Sequence, residues 1–325
     1  MADILSLAAG NLISPIILSF VLGLFAALAR SDLSIPEAVA KGMSIYLLFA
    51  IGFKGGAGVA AHGLDATLVG TLIAALVLSF ALPFVGFALL SVMTRLSTVD
   101  KAAVAAHYGS ISIVTFVAAT SVLESRGIMS EGYMVAAAAV MEAPAILSAL
   151  WLIARTGENT QADSGLYREI LLNGSIVLLV GSFLIGAITG EEGLAKISSF
   201  IVSPFQGVLC LFLLDMGLVA GRGLRESWRE LGLGSVAFGM LMPLVGSVFG
   251  LVAALAVELS PGGAALLMTL SASASYIAVP AAMRVALPEA RPSIYLTLSL
   301  GVTFPFNLTV GIPLYTSIAT NIGGG

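Results

Sequence analysis

The sequence predicts an all-α polytopic membrane protein of about ten transmembrane helices in two inverted five-helix repeats, and three observations predict it. The first is composition. The 325 residues are 58% apolar and 10% charged, and mean hydropathy is +1.06, far from the composition of a soluble domain. The second is a succession of apolar runs near the roughly 20 residues that an α-helix needs to cross a bilayer. The third is a weak internal similarity between the halves. With 14 Lys+Arg and 18 Asp+Glu, the chain cannot coat a water-facing surface, while 36 Gly and 12 Pro suit helices that pack closely and break. Soluble enzymes, nucleic-acid binders and disordered proteins are thereby excluded.

Taken in order, the expected spans are 12–29, 38–56, 67–93, 102–123, 133–154, 169–188, 196–220, 233–257, 263–283 and 293–318. Residues 1–154 then form the first repeat, 155–168 a polar cytoplasmic linker and 169–325 the second repeat. The first span lacks a basic leader and a cleavage site after Arg30, so it reads as retained. Odd-numbered loops hold Arg30, Lys41, Arg95, Lys101, Arg155, Arg168, Arg222, Arg225, Arg229, Arg284 and Arg291, against Lys54, Arg126 and Lys196 on the other side. By the positive-inside rule the odd loops are cytoplasmic and both termini extracytoplasmic, in a plasma (inner) membrane.

Five spans per half invert the second repeat relative to the first. Ser110-Ile-Ser112-Ile-Val-Thr115 in the fourth span is answered by Ser271-Ala-Ser273-Ala-Ser275-Tyr276 in the ninth. Glu142-Ala-Pro144 is answered by Thr303-Phe-Pro305, and Gly52-Phe-Lys54-Gly-Gly56 by Gly217-Leu-Val-Ala-Gly221. Clustered hydroxyls with Gly109 in one segment and Pro280 in the other weaken both helices at membrane depth. Two unwound helices with facing N-termini offer amides to a small anion and carbonyls to Na⁺. A close-packing face whose hydroxyls bond the preceding turn is the plainer explanation of either segment alone.

Glu142 stands in a long apolar run, where a carboxylate is expensive unless paired, protonated or bound to an ion. Pro144 interrupts the ladder beside it and frees carbonyls. The matching tenth span supplies Thr303, Asn307 and Thr309 beside Pro305 and Pro313, again oxygen-bearing groups that suit Na⁺. Asp215 and Lys54 occupy neighbouring repeat positions with opposite charge, which allows an internal ion pair. Lys54 could equally snorkel to water. His107 lies one turn before the fourth-span hydroxyls, as a polar contact or a proton carrier. Cys210 is the single cysteine, so there is no internal disulfide, and two histidines argue against haem, iron–sulfur or zinc. Phosphate-loop, dinucleotide, HExxH and GxSxG motifs are absent, so no enzyme activity is expected and an ion gradient must drive transport.

These motifs resemble the sodium-dependent bicarbonate transporter family typified by cyanobacteria. The stretches that carry the likeness are IGFKGG (51–56), LDMG (214–217), MEAPAIL (141–147), 271–296 and LGVTFPFNLTVGIPLY (300–315). The resemblance implies five-plus-five inverted repeats with crossing broken helices at positions four and nine. It implies an anion site at Gly109, Ser110, Ser112, Ser273 and Ser275, and it supports Glu142, which stands where cyanobacterial members resemble an Asp. Where those members resemble SSSDISGPP, this chain has Tyr276 in place of the acidic group. The family would also bring a PII-like cytoplasmic regulator, which the short 155–168 linker leaves without support.

The expected function is sodium-coupled uptake of a small inorganic or organic anion, foremost bicarbonate, by alternating access. Gly109, Ser110, Ser112, Ser273, Ser275 and Tyr276 are expected at the substrate, and Glu142, Thr303, Asn307 and Thr115 at sodium. No cofactor beyond Na⁺ is expected; small-residue faces and the resemblance suggest a homo-oligomer. A Na⁺/H⁺ exchanger titrating Glu142 and Asp215, a sodium symporter of a small carboxylate and a passive channel remain open as alternatives.

Overall fold

The structure is a computed structural model in which residues 13–62, 66–142, 144–155, 174–276, 279–280, 282–283 and 287–323 are described. Among these residues there is helix and connecting turn but no strand. The first half comprises α1 (Pro15–Leu28), α2 (Glu37–His62), α3 (Ala66–Met93), α4 (Thr98–Gly109), α5 (Ile113–Ser125), α6 (Met134–Val140) and α7 (Pro144–Arg155). The second comprises α8 (Gly174–Ile201), α9 (Phe205–Ala256), α10 (Pro261–Ala272), α11 (Pro292–Leu296) and α12 (Ile312–Gly323). Between α11 and α12 the chain stays helical through two wide π turns, Thr297–Thr303 and Asn307–Gly311, around a short α segment.

Among the described residues, eight helical stretches are long and apolar enough to cross a membrane, counting α4–α5 and α6–α7 as one each. α1 and α10 are apolar but shorter, α10 because the chain leaves the helix at Ser273. One expected boundary moves. The sixth span ends near 188 at Gly190 (φ 60°, ψ −155°), beyond which a second helical segment runs to Ile201, so the seventh begins at Phe205 rather than 196. Gly232 (φ 66°, ψ 158°) similarly divides α9 into two helices, adopting a backbone geometry that a side chain would strain. The linker 156–168, Arg168, Arg284 and the outermost residues of both termini lie outside the described residues.

Two long helix pairs frame the molecule. α1 packs along the first part of α9, with Gly23 against the Leu214 carbonyl and Gly217 against that of Phe20. α2 packs along α8 in the same manner, with Gly56 against the Phe183 carbonyl and Gly186 against that of Phe53. In an apolar solvent these backbone approaches supply the dispersion contacts that hydrophobic burial provides in water. Elsewhere α3 exposes Ile73, Val77 and Phe80, and α9 exposes Val248, Val252 and Leu255, as lipid-facing surfaces must. The apolar stretch of α4–α5 is instead wholly buried, whereas α8's is only 17% buried. The protein thus encloses the broken α4–α5 stretch and leaves α8 largely on its surface.

The tenth span shows why prolines inside it do not end it. Each π turn closes two residues before a proline, Pro305 or Pro313. Widening the turn relieves the clash between the pyrrolidine ring and the carbonyl four residues back while keeping the chain helical.

Candidate functional site

α4 and α10 are built alike. Each is a 12-residue helix whose N-cap serine accepts from the amide three residues on, Ser97 from Asp100 and Ser260 from Gly263, both at 3.1 Å. Each ends on a serine in extended conformation, Ser110 (φ −89°, ψ 158°) and Ser273 (φ −89°, ψ 164°). Every landmark recurs 163 positions later. Gly109 lies against the Pro83 ring and the Ser79 carbonyl of α3, a contact that a Cβ would block. Three residues on, the Ser112 hydroxyl accepts from the Thr115 amide at 3.2 Å and starts α5.

The two breaks lie against each other. The Ser275 amide donates to the His107 carbonyl of α4 at 2.7 Å. In the opposite direction the Ser112 amide donates to the Ser273 hydroxyl at 2.9 Å, which itself donates to the Leu270 carbonyl at 2.8 Å. His107 and Leu270 are again 163 positions apart. A helix C-terminus leaves carbonyls without partners; here the second break supplies a donor to the His107 carbonyl of α4 and an acceptor, the Ser273 hydroxyl, to the Ser112 amide.

The tenth span braces this crossing. Asn307 donates through Nδ2 to the Ala272 carbonyl at 2.8 Å and accepts from the Tyr315 hydroxyl at 3.0 Å. Thr303 donates to the Gly239 carbonyl at 2.6 Å and shares a 2.6 Å hydrogen bond with the Tyr108 hydroxyl. The Asn307 and Thr303 oxygens each keep a lone pair beyond these bonds, so both remain competent cation ligands.

Around the crossing, several buried polar atoms have no hydrogen-bond partner among the described residues: Ser110 Oγ, Tyr276 OH, His107 Nε2 and Glu142 Oε2. Tyr276 OH is directed at the Ser112 side chain without reaching hydrogen-bond geometry. His107 Nδ1 lies 2.6 Å from the Ala103 carbonyl, which assigns the proton to Nδ1 and leaves Nε2 an acceptor. Its ring stacks on Tyr295 with centroids 4.4 Å apart. Ser271 Oγ, also unpartnered, is turned instead towards Gly250 of α9. An unsatisfied buried polar group costs about 1–3 kcal/mol, so such a concentration marks where a polar ligand belongs.

Glu142 is 3% exposed, in the gap between α6, which ends at Val140, and α7, which starts at Pro144. Ser79 connects this gap with the first break: its hydroxyl donates to the Met141 carbonyl at 2.7 Å, and its own carbonyl touches Gly109. No ion pair reaches Glu142 among the described residues. No group of three His, Cys, Asp or Glu that could hold a metal ion occurs among them either. The oxygens present are hard, sparsely charged donors, the type that suits a monovalent cation.

The expected internal pair of Lys54 with Asp215 is not formed. Lys54 binds Glu124 at the end of α5, 2.7 Å away, with its ammonium over the Phe205 ring. The charge that acts on buried Asp215 is Arg222, further along the same helix. Two contacts had no local signal in the sequence. Asp100, in the first turn of α4, receives the Arg291 backbone amide (2.9 Å) and guanidinium (2.7 and 3.0 Å), with Ser97 Oγ at 2.7 Å. At the first turn of α10 the carboxylate comes from Glu131, which accepts from the Ser260 amide at 2.7 Å and hydroxyl at 3.0 Å. Gly263, the counterpart of Asp100, leaves room for it. Both acids complement the positive end of a helix dipole.

Apolar helices of spanning length around two broken helices that satisfy each other at depth define a multi-pass membrane transport protein. The family model of the Na⁺-dependent bicarbonate transporter superfamily matches residues 15–320, and the chain belongs to that family. No curated protein matches the chain. The protein is therefore an integral membrane transporter of a sodium-dependent bicarbonate type and not an enzyme.

Proposed function

We propose that the protein couples inward movement of Na⁺ to uptake of bicarbonate by alternating access, with both ligands held where the α4–α5 and α10 breaks cross. The observation that carries this reading is the set of unpartnered atoms at one locus, above all Ser110 Oγ and Glu142 Oε2. The anion takes the first-turn amides of α5, whose N-terminus carries partial positive charge, together with the Ser110 and Tyr276 hydroxyls. Gly109 lets the backbone approach, while Ser112, Ser273 and Ser275 hold the two breaks in register. Sodium takes the Glu142 carboxylate with oxygens of Thr115, Thr303 and Asn307. A charged side chain at bilayer centre costs about 2.5–3.5 kcal/mol on insertion scales, so Na⁺ at Glu142 removes a penalty that the anion site alone would leave.

The inverted repeat is supported by the matched anatomy of α4 and α10. It is supported also by the two helix pairs, since exchanging halves turns the α1–α9 contact into the α8–α2 contact. In this reading those pairs form the scaffold past which the broken helices move, with odd loops cytoplasmic and both termini outside. Exposed apolar faces of α3 and α8 suit a homo-oligomer; a PII-like regulator would act from the cytoplasmic side.

The test is uptake of labelled bicarbonate into proteoliposomes under an inward Na⁺ gradient or an equal K⁺ gradient, with small carboxylates as competitors. Saturable uptake with Na⁺ alone supports the proposal. Uptake indifferent to the cation and unsaturable indicates a channel, and pH-gradient dissipation by Na⁺ without added anion indicates an exchanger; either result overturns it.

A further inference from the structure

The carboxyl end of α1 and the first part of α9 border an open surface cavity of about 480 Å³ lined by Ala27, Arg30, Ser31, Arg222 and Arg225. Three guanidinium groups in one cavity is unusual for a chain with so few cations, and two of them are fixed in place. Arg225 donates to the Ala27 carbonyl at 3.2 Å and Arg222 to the Leu33 carbonyl at 3.1 Å. Arg30 has a positive φ of 59°, uncommon for a side-chain-bearing residue, as the backbone turns back at the end of α1. Among the described residues no carboxylate lies within ion-pair distance of any of the three; Asp32 and Glu226, the acids nearest in sequence, pair with none of them. A guanidinium has five N–H donors in a planar fork, so each carbonyl contact leaves most of its donors available. Asp215 acts on Arg222 from along the same helix without forming an ion pair; three like charges brought together still repel, and the arrangement is relieved by an anion with several acceptor oxygens.

We propose that this cavity is a binding site for a phosphate group, separate from the site at the broken helices. The carbonyl anchors hold two forks at fixed positions around a volume that accepts a tetrahedral oxyanion with a substituent, and arginine rather than lysine suits bidentate phosphate contacts. The exposed apolar side chains of α1 beside it, Phe25 and Leu28, would accommodate acyl chains, so a phosphodiester lipid headgroup and a soluble phosphate share the recognising chemistry.

The test uses purified full-length protein in detergent, following the melting midpoint during titration with phosphatidylglycerol, phosphatidylcholine or inorganic phosphate. The proposal expects saturable stabilisation by phosphatidylglycerol or by inorganic phosphate, at concentrations where phosphatidylcholine does little. Arg30→Gln, which removes no protein hydrogen bond of the arginine side chain found among the described residues, should raise the half-saturating concentration roughly tenfold, one charge-assisted contact's worth. Saturation by phosphatidylglycerol alone assigns a lipid, and saturation by inorganic phosphate as well assigns a soluble phosphate. Equal response to anionic and zwitterionic lipid with none to phosphate, or an Arg30→Gln curve superimposable on wild type, overturns the proposal. Arg222→Gln/Arg225→Gln, if it folds, should abolish saturation; retained saturation also overturns it.

Discussion

The break that follows Gly109 and the break that follows Ala272 share caps, helix length and exit geometry but not the use of their serines. Ser273 is occupied twice, accepting from the Ser112 amide and donating to the Leu270 carbonyl. Its counterpart Ser110 has no partner for its hydroxyl. Position 109 is a glycine packed on proline and a carbonyl, whereas its counterpart is Ala272, whose Cβ is accommodated. In the proposed reading this matched skeleton carries two assignments, the second break chiefly as a brace and the first, with its unpartnered Ser110 hydroxyl, as the ligand site.

The largest effect should come from exchanging the residues that follow this divide. Gly109→Ala forces its Cβ into the Pro83 ring and the Ser79 carbonyl, and overpacking of this kind costs about 1–3 kcal/mol. We expect a lower melting midpoint and uptake reduced at least a hundredfold, because the displaced segment carries the proposed anion site. Ala272→Gly should cost about 1 kcal/mol or less and preserve uptake. Equal sensitivity of the two positions would break the comparison.

Next are the serines. Ser273→Ala leaves the buried Ser112 amide without its acceptor and should cost about 1–3 kcal/mol in thermal unfolding. Ser110→Ala removes no protein bond, so stability should be nearly unchanged while the KM for bicarbonate rises about tenfold, equivalent to one lost hydrogen bond to a charged group.

A smaller and more symmetrical effect is expected at the distal ends of the half-helices. Asp100→Asn weakens the contacts with Arg291 and Glu131→Gln those with Ser260, each at an expected cost of about 1–2 kcal/mol. The reversal Asp100→Arg/Arg291→Asp should recover part of the first loss, and absence of any recovery would mean that packing rather than charge holds that end. Lys54→Met breaks a partly exposed pair with Glu124 and should change stability by no more than about 1 kcal/mol, read in the same melting experiment.

Much of this architecture was legible in the sequence because its causes are local. Hydroxyls alternating with small residues after Gly109, and again 163 positions on, mark where the helix ladder fails, and Pro144 beside Glu142 marks a third interruption. What was not legible depends on distant partners. Asp100 and Arg291 are 191 positions apart, and nothing local at either indicates the other; the repeated N-cap serines Ser97 and Ser260 were the nearest signal. Lys54 invited pairing with Asp215 because their repeat positions neighbour each other, yet register on α2 places it against the end of α5. Gly190, followed by Glu191 and Glu192, does break the helix; the helical segment that follows it to Ile201 carried no comparable signal. Pro305 and Pro313 likewise suggest interruptions, where wide turns absorb them.

The most direct test of a shared site at the crossing is the melting midpoint of the purified protein titrated with bicarbonate in Na⁺ or in K⁺, for wild type and Glu142→Gln. Stabilisation by bicarbonate in Na⁺ but not in K⁺, with the difference lost in Glu142→Gln, is the predicted result. A sodium-dependent response that Glu142→Gln leaves intact would place the cation elsewhere and contradict the account.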